Sequence, residues 1–355
     1  MLGVSISKEF MPSIANTIGT DMSSYKIVTR EQFAYGPVTS RNGDKVSIAL
    51  LTDDVPAIIS QAYTVFEITD KNLLLPAYLM MWFRRSEFDR YARYHSHGSA
   101  REVFGWEEMC DVRLPIPPLS RQREIVAEYE TLTRRIRLNE RLISTLESAA
   151  QTLYRRTFVD NIDPAHLPPG WRTGKFTELV RISGGGTPST SVSEYWEGGN
   201  VPFYSPGDKT AHFYTLETEK HVTELGLKHC SSKLYPAHTV FVTARGATTG
   251  GLSLSAIPMA MNQTCYALLP KSNCKYYTHQ LCIEAMRSLK EEAVGATFEA
   301  LVTKDFENKE IVIPPEAEIR NYEEAITPVY ELILTIQKES TKIAEMQNLL
   351  LTVVR

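Results

Sequence analysis

"GSAREVFGWEEMCDVRLPIPP", residues 98–118, recurs in altered form as "GATFEALVTKDFENKEIVIPP", residues 295–315. The two stretches align without a gap at an offset of 197 positions, the distance from Gly98 to Gly295. Glu102 then meets Glu299, and each stretch closes on the same Ile-Pro-Pro triplet. A long match at a fixed offset indicates that the chain is built from two related halves.

A heptad pattern follows each Ile-Pro-Pro triplet. Its positions are spaced by alternating steps of four and three, which is typical of a coiled-coil helix. The first series is Ile125, Tyr129, Leu132, Ile136, Asn139, Ile143, Leu146, Ala150 and Leu153, and the second is Tyr322, Ile326, Val329, Ile333, Ile336, Ser340, Ile343, Gln347 and Leu350. Each predicted helix would span about 35–40 residues, or roughly 55 Å. We expect the two helices to pack against each other in antiparallel fashion.

Two residues in these predicted helices depart from the pattern, Asn139 because it is polar and Pro328 because it disfavours a helix interior. Asn139 lies near the middle of the first series, where a buried polar residue can fix the register of a helix pair. The alternative is that Asn139 faces a partner subunit or solvent. Pro328 lacks a backbone donor, and it predicts a kink or break near Thr327, or a new helix that begins at Pro328.

The segments before the helices alternate short strands with amphipathic helices, the latter predicted over 75–93 and 276–293. The predicted fold class is therefore α+β, with two mixed α/β domains joined by two long antiparallel coiled-coil helices in a pseudo-two-fold repeat. The predicted segments are a first domain at 1–115, a first long helix at 116–158, a proline-rich linker at 159–172, a second domain at 173–312 and a second long helix at 313–355.

The first domain is shorter than the second. At an offset of about 207, Tyr25 matches Ser232, and Met1 then falls near Asp208. The first half therefore has no counterpart of roughly residues 168–207. We expect either a shortened domain or one whose first strands are missing from this chain, so that a homologous or partner chain would complete it.

Composition narrows the class of protein. The net charge of −4 is not typical of a nucleic-acid binder, because such proteins are usually basic. It does not exclude one, because the charge of a local surface patch matters more for binding than the net charge of the chain. No apolar run approaches the roughly 18 residues that span a membrane, and no signal peptide is evident, so a cytoplasmic protein is expected. Cys274, His279 and Cys282 lack a fourth metal ligand, so we predict buried thiols and no metal site.

The densest glycine run is "ISGGGTPSTS" at residues 182–191. A phosphate-binding P-loop requires a lysine after its glycines, and this run has none. We predict instead a tight turn entering a strand, formed by Gly184, Gly185, Gly186 and Thr187. The chain also lacks recognisable catalytic motifs, including the Asn/Asp-Pro-Pro-aromatic tetrapeptide of adenine methyltransferases, so we predict a non-enzyme.

Three kinds of segment are candidates for DNA contact. Residues 84–101 interleave five arginines with aromatics, and residues 36–45 and 243–250 each follow a predicted strand with glycine, hydroxyls and an arginine. Arginine can pair with guanine and asparagine with adenine; turn formation and a solvated helix face are the alternatives. The candidate residues in these segments are Thr39, Ser40, Arg41, Asn42, Arg93, Arg101, Arg245 and Thr248. Outside them, Asn262 and Gln263 precede a predicted strand and are candidates for contact with base edges, and Lys209 is a candidate for contact with phosphate.

These features together resemble the specificity (S) subunit of type I restriction–modification enzymes. The resemblance rests on "ISGGGTPSTSVSEYWEGGNVPFYSPGD" (182–208), on the joint between Ile-Pro-Pro and a long helix, and on the two-fold repetition. It covers nearly the whole chain.

The resemblance implies a division of labour. Each globular domain would be a target-recognition domain that reads half of a split sequence in double-stranded DNA, and the long helices would set the spacing. In the second domain, the backbone of Gly184, Gly185, Gly186 and Thr187 would lie near DNA phosphates. Two methyltransferase (M) subunits would bind this chain and supply an adenine methylase that uses S-adenosylmethionine. Restriction and translocase (R) subunits would complete the complex. The chain itself would hold no cofactor.

Two other functions remain open from the sequence alone. The first is the specificity subunit of a type IIB-like enzyme, whose partner both methylates and cuts. The second is a coiled-coil scaffold whose end domains bind other ligands and not DNA.

Overall fold

The computed structural model describes residues 1–13, 19, 21–40, 42–43, 45–98, 102–292 and 300–354. The chain divides into two units, each mixed α/β. The first unit is Met1–Arg137 with Thr341–Arg355, and the second unit is Leu138–Ser340. Among the described residues, no helix is long and apolar enough to cross a bilayer. Whether recognition domains and spacer helices divide at the predicted boundaries stays a prediction.

The first unit contains seven strands and the start of the first long helix among its described residues. The elements are β1 (Leu2–Val4), β2 (Phe10–Pro12), β3 (Lys26–Val28), β4 (Phe33–Gly36), β5 (Ser47–Leu50), β6 (Ala57–Ile59), β7 (Thr64–Phe66), α1 (Pro76–Arg84), α2 (Ser86–Tyr94), α3 (Trp106–Cys110) and α4 (Leu119–Phe158). The strands pair as β1-β2, β3-β6 and β5-β4-β7. Phe33 and Tyr35 of the central strand are fully buried with Phe83 of α1, which forms one apolar core.

The helix predicted over 75–93 is wrong as a single element, because Arg85 divides it into α1 and α2. Arg85 has an extended backbone, with φ −72° and ψ 142°. Its guanidinium stacks on Trp82, 4.4 Å from the ring centre, and donates to the carbonyl oxygen of Val354 at 2.7 Å. This buried side chain thereby holds the end of the second long helix within the first unit.

The second unit contains a larger set of elements. They are β8 (Arg172–Lys175), α5 (Phe176–Leu179), β9 (Val180–Gly184), β10 (Val201–Tyr204), β11 (Tyr214–Thr215), β12 (Lys220–Val222), α6 (Glu224–Lys228), β13 (Val240–Thr243), β14 (Leu252–Ser255), β15 (Ala260–Met261), β16 (Cys265–Pro270), α7 (Lys275–Glu292), α8 (Thr303–Asn308), β17 (Glu310–Ile313) and α9 (Glu316–Val353). Two short 3₁₀ helices lie at Ser193–Tyr195 and Pro206–Asp208.

A five-stranded sheet with the order β11-β14-β13-β16-β9 organises the second unit. Its three strands β14-β13-β16 repeat the order β5-β4-β7 of the first unit, with antiparallel pairing in both. Smaller sheets, β12-β10-β15 and β17-β8, complete the unit. The repeat detected in the sequence is therefore a repeat of sheet topology.

The two long helices run antiparallel within each unit. In the second unit, Tyr322 donates its hydroxyl to the carbonyl oxygen of Ala150, while Asn139 reaches Ser340. In the first unit, Gln347 donates to the Thr133 hydroxyl at 2.6 Å. The seam residues Ile125, Asn139, Ile326, Ile333, Ile336 and Ile343 are buried, and Leu132, Ile136 and Leu146 are half-buried.

Asn139 is 3% exposed and lies at a polar junction of the pair. Its amide nitrogen donates to Glu339 Oε2 at 3.0 Å and to Ser340 Oγ at 3.1 Å. Two of the polar seam positions, Asn139 and Ser340, therefore meet each other. A shift by one turn would leave these groups buried without partners, so the contact favours this register.

The break predicted near Thr327 and the new helix predicted to begin at Pro328 are both wrong, because α9 continues through them from Glu316 to Val353. A kink near Thr327 stays a prediction. Pro328 is exposed, and on the solvent side water can satisfy the carbonyl group that loses its donor. Ile326 and Tyr330, on either side, are 1% and 0% exposed. Their burial outweighs the cost of about 3 kcal/mol that a proline brings to a helix interior.

The seam position predicted at Leu153 is also wrong. Leu153 is 42% exposed, and the buried residue of that turn is Tyr154. Tyr154 and Phe158 pack on Tyr322 and Tyr277, so this end of the helix faces the core of the second unit. The heptad spacing ends where α7 of the domain joins the second long helix as a packing partner.

The core of the second unit encloses a neutral histidine. Burial lowers the pKa of His279 to about 3. Gln280 donates its amide to the Tyr330 hydroxyl at 2.7 Å, which leaves the hydroxyl hydrogen for His279 Nδ1 at 2.8 Å. Burial also raises the pKa of the thiols of Cys274 and Cys282. The described residues hold no cluster of three metal-ligating side chains.

His279 makes the second unit sensitive to acid. The unfolded chain binds a proton at His279 below its ordinary pKa of 6.5, whereas the folded chain does so only near pH 3. The contribution of neutral His279 to the stability of the second unit is therefore present above pH 6.5 and is lost progressively as the pH falls towards 3. Between pH 7 and pH 5, the unfolding free energy of the native chain should therefore decrease. We expect this decrease to be smaller by roughly 2 kcal/mol in His279→Gln, which has no group to protonate at this position.

Urea unfolding at the two pH values measures this difference. His238, whose pKa burial lowers to about 4, is present in both proteins, so its contribution cancels. An equal loss of stability in both proteins would contradict the assignment to His279.

Candidate nucleic-acid interface

Three loops leave the same edge of the five-stranded sheet in the second unit. Gly184 at the end of β9 lies opposite Tyr266, and Thr243 at the end of β13 lies opposite Cys265. Because these neighbouring strands are antiparallel, the ends of β9 and β13 and the starts of β14 and β16 share one edge. The three loops are 185–192, 244–251 and 262–264, called the loop edge below.

The glycine run leaves a strand, so the prediction of a turn entering one is wrong. Gly184 is the last residue of β9, and the preceding residues Ile182 and Ser183 pair with β16. The alternating residues that form this strand precede the glycines in the sequence and do not follow them.

Gly185 holds loop 185–192, called the glycine loop below, against the backbone of loop 262–264, while Gly186 lies against Ser231. A β-carbon at Gly185 would lie 1.9 Å from the carbonyl oxygen of Asn262. The amide of Gly186 donates to the carbonyl oxygen of Met261 at 3.1 Å. Thr187 extends this contact with a hydrogen bond from its hydroxyl to Gln263 Oε1. The glycines therefore allow close packing of two loops.

Asn262 and Gln263 have different roles in the loop edge. Asn262 Oδ1 accepts hydrogen bonds from the Thr264 amide at 3.1 Å and the Thr264 hydroxyl at 2.8 Å. These bonds form a local turn that uses the side-chain oxygen of Asn262. Gln263 is exposed beside it.

Arg245, Lys209 and Lys290 place three positive charges around hairpin loop 244–251. Arg245 is exposed, and its backbone bridges Ala300. A β-carbon at Gly251 would lie 3.1 Å from Lys209 Cδ, and one at Gly250 would lie 2.5 Å from Lys290 Cε. The three cations come from distant parts of the chain and converge on one loop.

Lys290 is absent from the sequence-based candidates. It lies in the last turn of α7, where lysine is common because it complements the helix dipole, so its sequence gives no specific signal. Thr248 is also exposed, and its carbonyl oxygen accepts the amide of Gly251 at 2.9 Å, which closes the loop.

The first unit has an equivalent hairpin loop at 37–46, between β4 and β5. Phe104 donates its amide to the carbonyl oxygen of Pro37 at 2.8 Å, and Leu301 donates to Ala244 in the same way at 2.8 Å. The backbone bridges Val38–Val103 and Arg245–Ala300 match as well. The structural counterpart of Arg245 is therefore Val38, while Arg41 lies three positions further and, like Arg101, is outside the described residues.

The remaining candidates in the first unit are partly engaged within the protein. Thr39 is 2% exposed and donates its hydroxyl to Ser96 Oγ at 3.0 Å. The Asn42 amide donates to Ser47 Oγ at 2.9 Å, and Arg93 forms an ion pair of 2.5 Å with Glu102. Ser40 is exposed at the loop surface. Thr39 and Asn42 thus shape the loop.

Comparison with known proteins relates this chain to one protein family. Residues 14–148 and 168–345 match the family described as type I restriction modification DNA specificity domain. The MjaIX specificity subunit of Methanocaldococcus jannaschii is 29% identical over 189 residues, or 52% of this chain and 43% of that protein. The chain thus spans less than half of that relative. The HindI specificity subunit of Haemophilus influenzae is 22% identical over an alignment of 411 residues, covering 95% and 88%.

A solved structure shares the fold. The crystal structure of the type I restriction–modification S subunit from M. genitalium superposes with a TM-score of 0.58 at 13% identity, covering 93% of this chain and 84% of that one. The sequence match covers most of both halves of the chain, and the likeness of fold agrees with it. The chain belongs to the family of type I restriction–modification DNA specificity subunits.

Proposed function

We propose that this chain reads a bipartite sequence in double-stranded DNA for a restriction–modification complex. Each unit contacts one half of the target through its loops, and the paired long helices act as the spacer between the two contacts. The chain carries out no catalytic step itself.

The observation that carries the proposal is the repeated hairpin loop. Loops 37–46 and 244–251 leave equivalent strands of the two three-stranded sheets and are held by the same backbone hydrogen bond. Two equivalent reading loops suit a target with two halves. The convergence of Arg245, Lys209 and Lys290 supplies local positive charge despite the net charge of −4.

The partners follow from the same proposal. Two methyltransferase subunits bind this chain and bring S-adenosylmethionine and the methyl-transfer chemistry, and restriction and translocase subunits join them in the cytoplasm. The relatives' names support this context, since each is called a type I restriction enzyme specificity subunit. A type IIB-like partner would differ by carrying its own nuclease domain.

Arg245→Ala tests the reading role of the loop edge. We expect the variant, in complex with its methyltransferase, to bind the target duplex about 5–150-fold more weakly, because one arginine contact to a base is worth roughly 1–3 kcal/mol. If Arg245 contacts phosphate instead, the slope of log affinity against log salt falls by about one. Fluorescence anisotropy over a salt series measures both quantities.

Lys271→Ala is the matched control, because Lys271 follows Pro270 at the opposite edge of the same sheet. We expect it to bind with unchanged affinity and salt slope. Equal weakening in both variants would contradict a specific role for the loop edge. If the native complex binds no duplex even at low salt, the proposed function is wrong and a scaffold role is favoured.

A further inference from the structure

Glu323 of α9 caps the start of α7 in the second unit. Its carboxylate accepts the amide of Tyr276 at 3.1 Å and that of Tyr277 at 2.8 Å. These amides belong to the first turn of α7, where a helix has no internal acceptors for them. Glu323 is 9% exposed, and burial raises the pKa of its carboxyl group. A costly buried acid therefore joins the long helix to a domain helix.

Gln122 of α4 makes the corresponding connection in the first unit. Its side chain is fully buried, and Oε1 accepts the amide of Leu75, the residue before α1, at 2.9 Å. Its amide group donates to the carbonyl oxygens of Leu73 and Pro117, both at 2.8 Å. The start of α1 is thus tied to the start of α4.

The two connections occupy related places in the repeat. Helices α1 and α7 each follow the last strand of the shared three-stranded sheet, β7 or β16. At the repeat offset of 197, Gln122 corresponds to Ile319, and Glu323 lies one helical turn after Ile319. Both units therefore use a buried acceptor near the start of a long helix to hold the start of the equivalent domain helix.

Apolar packing and hydrogen bonds constrain a helix contact differently. The aliphatic residues around Glu323, such as Ile319 and Ile326, stabilise the contact but tolerate small sliding, because apolar burial has no direction. Hydrogen bonds of defined length and angle do not tolerate it, and a buried amide without a partner is costly. Glu323 and Gln122 therefore constrain where the start of each domain helix lies along its long helix. In the second unit, Glu147 and Tyr330 add further hydrogen bonds between the long helices and the domain.

We propose that Glu323 and Gln122 are positioning residues that set how strictly the protein enforces the gap between its two DNA half-sites. This inference rests on the proposed function, in which the long helices form the spacer. Loosening either connection lets one reading domain shift along its helix, so half-sites with a gap one base pair longer or shorter become acceptable. The effect is on gap discrimination and not on the bases that are read.

The test uses the full chain with its methyltransferase and a set of duplexes with identical half-sites and gaps that vary by single base pairs. The readout is the ratio of the methylation rate at the best gap to the rate at gaps one base pair away. We expect Glu323→Ala to lower this ratio by about fivefold or more, and Gln122→Ala to do the same. Glu323→Gln keeps an acceptor oxygen, as Gln122 does naturally, and should retain the ratio.

Glu324→Ala is the matched control, since Glu324 is the exposed neighbour of Glu323 on the same helix. A general loss of stability would slow methylation at every gap without changing the ratio. Glu323→Ala and Gln122→Ala proteins that fold, as judged by circular dichroism, and keep the native ratio would overturn the inference. Should Glu323→Ala not fold, Gln122→Ala alone decides. A native complex that shows no gap preference would instead refute the proposed function.

Discussion

Replacing Gly185 by alanine is expected to destabilise the second unit by about 3 kcal/mol or more and to abolish binding of the target duplex. The added β-carbon would lie 1.9 Å from the carbonyl oxygen of Asn262 and 2.7 Å from its carbonyl carbon. Both atoms belong to the backbone, so no side-chain rotation can relieve the clash. The glycine loop and loop 262–264 would have to separate.

Gly184→Ala is the matched control at the adjacent position. A β-carbon at Gly184 meets no atom within 4 Å, and we expect its stability to stay within about 0.5 kcal/mol of the native value. Thermal or urea unfolding of the two variants, with duplex binding measured in parallel, separates the effects. Equal stability of the two variants would show that the loops are not packed as described.

The long helices could be predicted from the sequence because their signal is local and periodic. A spacing of three and four residues reports one face of a helix, and its recurrence after an offset of 197 identifies the partner. The domain between the two helices lets the chain turn back, so the second helix was expected to run antiparallel to the first. The structure adds that Asn139 and Ser340, two of the polar interruptions, satisfy each other.

The failures of prediction have a common cause, which is that tertiary packing overrides local preference. Proline disfavours a helix interior, yet the burial of Ile326 and Tyr330 carries α9 through Pro328. The periodic pattern of 75–93 gave no sign that Arg85 turns inward and interrupts the helix. Its partner, Val354, is distant in sequence.

The candidate interface could be predicted by segment but not by side chain. The equivalence of the two hairpin loops was visible from the repeat, because both follow corresponding strands. Which side chains reach solvent depends on hydrogen bonds across the fold, such as that of Thr39 to Ser96, and on local turns such as the one that engages Asn262. Lys290 reaches the loop edge only through the packing of α7.

An exchange of the predicted second recognition domain is expected to have the largest effect of all, because the proposed function implies a complete change of specificity in one half of the target. Thr173 and Val312, at the ends of the predicted second domain, are paired neighbours on β8 and β17. The chain therefore enters and leaves this domain at one place, and residues 173–312 can be replaced without separating the long helices. The equivalent region of another specificity subunit supplies a matched replacement.

The first domain is the internal control of this exchange. It keeps its own loop at 37–46 and its attachment through Gln122, so its half of the target should remain unchanged. The helix pair, with the Asn139 contact, is also retained. Glu323 is retained as well, and a replacement whose counterpart of α7 offers its first amide groups to Glu323 should keep the length of the gap.

Mapping methylated adenines in DNA from cells that carry the chain and its methyltransferase tests the central claim most directly. The native chain is predicted to direct methylation to one motif of two specific blocks separated by a gap of fixed length. The chain with residues 173–312 exchanged is predicted to keep one block and the gap and to replace the other block. Methylation that is absent, that lacks a split motif, or that keeps the same motif after the exchange would contradict the claim.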